Sequence, residues 1–229
     1  MSVVPLYIVL CPILFGLACL VLGPKLDRKC GWFPSLGVLG SLLLLALGFG
    51  EELQWETLWW SVGGLDLYLG LHLDQLGSYS AWLVAGVALP VCLYANFSMK
   101  EEKSGLPAFY GTLSIFVGAM LALVLSSTTV LLFLAWEAVG VCSFLLISYR
   151  HHEEEARRAG VQAFLMTRTG DMGLLLAMGA ILFSVGTTRI DTFLAELGSL
   201  SGSLLLGLAL LLVWAAAAKS AQLPFTAWL

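Results

Sequence analysis

The stretch "VLLFLAWEAVGVCSFLLIS", residues 130–148, is an almost unbroken apolar run with one carboxylate, Glu137, near its middle. Its length matches the ~20 residues that a helix needs to cross a ~30 Å hydrocarbon layer. Glu137 falls about seven residues into the run, which at 1.5 Å per residue is roughly 10 Å down. A charge at that depth costs about 2.5–3.5 kcal/mol on insertion scales, and it persists only where it is paired, faces water or titrates.

The rest of the chain has the same character. Of its 229 residues 59% are hydrophobic and 11% charged, and the mean hydropathy is +0.93. A soluble domain carries about 25% charged residues. The composition predicts an all-α integral membrane protein, because an open sheet would leave its backbone unsatisfied in lipid. The net charge of −4 carries no signature of nucleic-acid binding. The five cysteines (Cys11, Cys19, Cys30, Cys92, Cys142) are odd in number and form no CxxC, so they read as small apolar residues, with no disulfide or metal framework. The start, "MSVVPLYIVLCPILFGLACLVLGPK", lacks a basic n-region and reads as a retained first membrane helix; a signal peptide and a mitochondrial presequence are both disfavoured.

Apolar runs bounded by charge, Gly and Pro predict seven spans, at about 3–23, 33–50, 75–97, 107–126, 129–149, 161–186 and 203–222. The loops after spans 1, 3 and 5 hold Lys25, Arg28, Lys29, Lys100, Lys103, Arg150, Arg157 and Arg158, whereas those after spans 2, 4 and 6 hold only Arg189. Eight basic residues against one puts the odd-numbered loops in the cytoplasm or matrix and the N-terminus on the opposite face. The outer loop 51–74 has a pattern of its own. "LDLYLGLHLD" alternates with a period of two after Gly63-Gly64, which predicts a short β-hairpin or an irregular aromatic loop at the lipid boundary. Trp55, Trp59 and Trp60 suit either reading.

Other charges fall inside spans. Arg168 and Asp171 stand three apart in "FLMTRTGDMGLLLAMG", on one helix face where they can pair. Lys219 lies in "LLLVWAAAAKSAQLPFTAWL", with small residues before it and Pro224 after it. Pro224 has no donor and predicts a helix break there, a common way to build ion sites in transporters. The bland alternatives are a structural ion pair and a lysine snorkelling from a helix end. Burial favours the neutral form of an acid or a base, and a nearby opposite charge restores the ionised forms. A buried acid–base couple whose separation changes can therefore relay protons. His151 and His152, in "RHHEEEARR", read as part of a solvated charge run rather than a metal site.

The stretches "FLAWEAVGVCSFLLISY", "AFLMTRTGDMG" and "AKSAQLPFTAWL" resemble the antiporter-like subunit L (NADH dehydrogenase subunit 5) of respiratory complex I, a family related to the large subunit of Mrp-type cation/proton antiporters. The resemblance runs from about residue 70 to 229, and the first two spans share only hydropathy. It implies one membrane domain over 1–229, with spans 1–2 in 1–50, the outer hairpin loop in 51–74 and spans 3–7 of the first inverted repeat in 75–229. It also implies that Glu137 on the fifth helix faces Lys219 on a broken seventh helix as the proton-transferring pair, with Asp171 and Arg168 tuning it. The departures are Thr167 for an asparagine, "SSTT" for an acidic or amide pair before the fifth helix, and Ala218 for a glycine. Family members have about fourteen helices in two inverted repeats. This chain is therefore expected to be a fragment or one part of a split subunit that supplies an input half-channel, another chain supplying the C-terminal half.

The resemblance implies a proton-translocating membrane subunit of NADH:quinone oxidoreductase. It would have no cofactor, metal or catalytic residue of its own; FMN, iron–sulfur clusters and quinone would sit in partner subunits. Its other partners would be complex I membrane subunits and lipid, in a mitochondrial inner membrane or bacterial plasma membrane. The alternatives are an Mrp-type antiporter module and a structural membrane piece without transport.

Overall fold

The computed structural model describes residues 2–102 and 105–228, so Lys103, one of the loop charges used for orientation, lies outside the described residues. The elements are α1 (Val4–Leu26), α2 (Trp32–Leu47), β1 (Leu53–Val62), β2 (Leu65–Leu73), α3 (Gln75–Ser98), α4 (Leu106–Leu125), α5 (Thr129–Ile147), α6 (Glu154–Val185), the short α7 (Ile190–Ala195) and α8 (Gly202–Lys219). Among the described residues seven helices are long and apolar enough to cross a membrane, which is all of them but α7. The chain is a helical integral membrane protein. Its five cysteines are free thiols.

The outer loop is a hairpin. Strands β1 and β2 pair around Gly63 (φ +61°) and Gly64 (φ +87°). Positive φ at both central residues is the mark of the type I′ turn, whose twist matches that of the strands it joins.

Two compact units make up the chain: Met1–Trp55 with Leu71–Ser126, and Glu56–Gly70 with Ser127–Leu229. In the first, α1 packs on α2 and α4. A side chain at Gly111 would stand 3.0 Å from the Gly16 carbonyl, and one at Gly118 3.1 Å from the Val9 carbonyl, so glycines let α1 and α4 approach closely. Pro12 lies inside α1 and leaves the Ile8 carbonyl without its helical donor. Ser41 Oγ donates to that carbonyl at 2.7 Å, which satisfies it from the neighbouring helix.

In the second unit α6 packs on α5 and α8. Gly173 faces the Leu211 carbonyl, 2.8 Å from where a Cβ would stand, and Trp214 Nε1 donates to the Thr169 carbonyl at 3.2 Å. The small residues of α6 thus draw α8 against it and bring the end of α8 level with Arg168 and Asp171. The helix α6 starts at Glu154, not at 161. Hydropathy registers only the apolar part, whereas the charged start is helical in its own right, with Arg158 paired to Glu154 one turn away at 2.5 Å.

The hairpin tip is clasped within this unit. Arg189 grips Glu56 with two hydrogen bonds of 2.8 Å and lies over the Tyr68 ring at 4.6 Å. The hydrogen bonds to Glu56 hold the guanidinium above its ordinary pKa. The lone basic residue of the outer loops is therefore paired.

Candidate functional site

Glu137 sits on α5, Arg168 and Asp171 on α6, and Lys219 on the last turn of α8. All four belong to the second unit. Arg168 is the hub: Nη1 meets Glu137 Oε2, and Nη2 stands 2.7 Å from Asp171 Oδ2. The second contact is an ion pair without a hydrogen bond. The Arg168 guanidinium also stacks 4.9 Å from the Phe164 ring centre. Asp171 is 5% exposed, and its other oxygen accepts a 2.5 Å hydrogen bond from Trp136 Nε1.

Lys219 is placed differently from the expected Glu137–Lys219 pair. Among the described residues its ammonium makes no ion pair; Nζ donates to the Trp136 main-chain oxygen at 3.4 Å and lies 5.3 Å from the Trp136 ring centre. Glu137 has Arg168 as its partner instead. The physical reason is geometric: Arg168 already shares a helix face with Asp171, and its longer, forked head spans to α5 as well.

The helix break is also displaced. Helix α8 ends at Lys219, five residues before Pro224. The end is a Schellman cap: Ala221 takes a left-handed conformation (φ +51°), and Gln222 N donates to the Ala217 carbonyl at 2.9 Å. Pro224 is exposed in the non-helical segment that follows. That segment turns back, with Trp228 Nε1 on the Ala218 carbonyl at 2.9 Å and Gln162 Nε2 on the Ala227 carbonyl at 2.6 Å.

A cavity of about 130 Å³ opens beside Lys219. Gly140, Ser143 and Ile147 line it along α5, and Thr167, Phe164 and Ala163 along α6. These rows run toward the ends of α5 and α6 that flank Arg150, Arg157 and Arg158, the end expected from loop charge to face the cytoplasm or matrix. At ~30 Å³ per water the cavity has room for about four. Among the described residues no cluster of His, Cys, Asp or Glu could hold a metal ion.

Two acids and two bases sum to zero charge when all are ionised. A proton passed from a base to an acid within the set leaves that sum unchanged, so the internal transfer adds no net charge to the low-dielectric interior.

The sequence reading missed Trp136 and Gly140. A tryptophan deep in an apolar run needs an acceptor for its N–H, and that signal was present. Gly140 is three residues from Glu137, on the same face, and a Cβ there would meet Arg168 Nη2 and stand 3.1 Å from Lys219 Nζ.

Residues 126–229 match the family described as NADH:quinone oxidoreductase/Mrp antiporter, TM. NADH-quinone oxidoreductase subunit L of Mycobacterium tuberculosis is 34% identical over 231 residues, which cover 94% of this chain and 36% of that protein. Subunit L of Neisseria meningitidis is 34% identical over 98% of this chain and 36% of its own length. The likeness therefore reaches into the first two spans, beyond the expected start near residue 70. The chain spans about a third of the length of the curated relatives it matches. Among solved structures, the Mrp complex of a Dietzia species matches with a TM-score of 0.88 and 28% identity over 100% of this chain and 25% of that one. An archaeal membrane-bound sulfane sulfur reductase shares the fold, with a TM-score of 0.76 and 22% identity over 96% of this chain and 34% of its own. The ordered motifs, the helical membrane fold and these matches agree: residues 126–229 belong to the NADH:quinone oxidoreductase/Mrp antiporter family, and the chain is similar to its membrane subunits over nearly its whole length.

Proposed function

We propose that this chain supplies a proton half-channel in the membrane arm of an NADH:quinone oxidoreductase, embedded in an energy-transducing membrane. The observation that carries the reading is the gathering of Glu137, Arg168, Asp171 and Lys219 among apolar helices, with the Lys219 cavity running toward the cytoplasmic end. Protons enter along that cavity to Lys219. When the Glu137 grip on Arg168 loosens, Lys219 gives its proton to Glu137 and its neutral amine is reprotonated from the cavity, while Arg168 is held by Asp171 alone. Asp171 and Arg168 set which acid is free. Redox chemistry, with FMN, iron–sulfur clusters and quinone, belongs to partner subunits. The remainder of the path comes from the part of the relatives' length that this chain does not match.

The test is proton translocation by the assembled complex in liposomes. Glu137→Gln and Lys219→Ala should each lower translocation roughly a hundredfold or more while assembly persists, the scale expected on losing a positioned proton-transfer group. Parental translocation by both assembled variants would refute the relay and support a scaffold. An Mrp-type antiporter module is the second reading, favoured by the Dietzia match over the whole chain. Copurification with iron–sulfur subunits supports the first reading, and copurification with small antiporter subunits the second.

A further inference from the structure

The half-channel reading leaves Trp136 without a task, yet it touches both ends of the site. Its indole N–H donates to Asp171 Oδ1 at 2.5 Å. Its main-chain oxygen accepts from Lys219 Nζ at 3.4 Å, and its ring lies 5.3 Å from that ammonium. Asp171 is on α6 and Lys219 on α8, so one residue of α5 holds an acid and a base of two other helices.

The geometry has a local cause. The Trp136 carbonyl points along α5 toward the Gly140 amide, its regular helical donor. Gly140 has no side chain there, so the ammonium reaches the same carbonyl from the side; a Cβ would stand 3.1 Å from Nζ. The Trp136 ring stands 5.3 Å from the ammonium, which lies over its negative face. Lys219 thus has a seat made of a carbonyl and a ring, and among the described residues no carboxylate pairs with it.

We propose that Trp136 is a positioning residue that couples Asp171 to Lys219. The indole N–H fixes the Asp171 carboxylate with one oxygen toward Trp136 and the other toward Arg168. The same residue holds Lys219 off the carboxylates. Turning the indole therefore disturbs both contacts at once: Asp171 loses its neutral donor and Lys219 loses the ring over its seat. This inference rests on the half-channel reading and adds a residue to it.

The experiment uses the assembled membrane complex in liposomes. Trp136→Phe keeps an aromatic ring and the main-chain oxygen and removes the N–H together with the rest of the five-membered ring, so the Asp171 band, not translocation alone, separates the lost hydrogen bond from lost packing. Translocation should fall roughly tenfold, the worth of one charge-assisted hydrogen bond. The infrared band of the Asp171 carboxylate, identified by its loss in Asp171→Asn, should move in Trp136→Phe. A packing role for the ring would leave that band in place. An assembled Trp136→Phe complex with parental translocation, or with an unmoved band, overturns the proposal. Should Trp136→Phe fail to assemble, the Raman band of the indole N–H gives the same test: it should weaken its hydrogen-bonded signature in Asp171→Leu, and an unchanged band overturns the proposal. Reduced translocation in Glu137→Gln and Lys219→Ala beside parental translocation in Trp136→Phe overturns this inference alone. Parental translocation in the first two overturns the reading beneath it.

Discussion

Arg168→Gln is the sharpest perturbation of the site. It strips one guanidinium from two carboxylates, Glu137 and Asp171, whose side chains are 26% and 6% exposed. Removing one partner of a buried ion pair costs about 3–5 kcal/mol, because the other charge is stranded. Here two like charges are stranded near each other, but Glu137 keeps some exposure, so we expect about 3 kcal/mol. That is about a hundredfold in the ratio of folded to unfolded protein. Replacing all three groups with neutral amides (Glu137→Gln, Arg168→Gln, Asp171→Asn) removes the stranded charge and should return stability to within about 1 kcal/mol of the parent. The assay is loss of folded protein on titration with SDS in mixed micelles, run on the purified assembly. Translocation should be low in both the single and the triple variant, which separates the transport role from the structural one. If the single variant unfolds at the parental SDS fraction, or the triple variant is less stable than the single, the ion-pair hub is wrong.

Gly140→Val puts bulk where Arg168 Nη2 and Lys219 Nζ converge, so translocation should drop more than expression does; equal translocation at equal expression would show that the close approach is not needed. The Arg189–Glu56 clasp should show about 1 kcal/mol of coupling in a double-mutant cycle, since Arg189 is 46% exposed and solvent weakens the pair. Strictly additive effects would contradict it. The folded-state pKa of Arg189 is raised, so the arginine's contribution is fully present below its ordinary value and is lost only as pH rises through the raised one. Titrating the arginine should therefore not loosen the hairpin tip anywhere in the working range; proteolysis at its Gly-Gly turn across pH measures this.

The membrane fold was legible because bilayer thickness fixes how long an apolar run must be. The runs around Val4–Leu26 and Thr129–Ile147 could hardly be anything else. The hairpin was legible as one of two readings, and Gly63-Gly64 with period-two alternation was the useful signal. What was lost concerned ends and partners. Glu154 opens α6 through charge pairing, which a hydropathy window discards. Helix α8 stops at Lys219 because Ala221 turns left-handed, and an alanine gives no warning of that as a glycine would. Spacing within α6 revealed the Arg168–Asp171 pair. Spacing says nothing of how α5 is rotated against α6, so the assignment of Glu137 to Arg168 had to come from packing.

The central claim is that Glu137 changes its proton occupancy during turnover. Time-resolved infrared difference spectroscopy of the assembled complex, with the Glu137 band identified by its loss in Glu137→Gln, measures this directly. The account predicts a protonated carboxyl band that rises and decays with each turnover. A Glu137 that stays ionised throughout, fixed to Arg168 while protons cross at the parental rate, would contradict it.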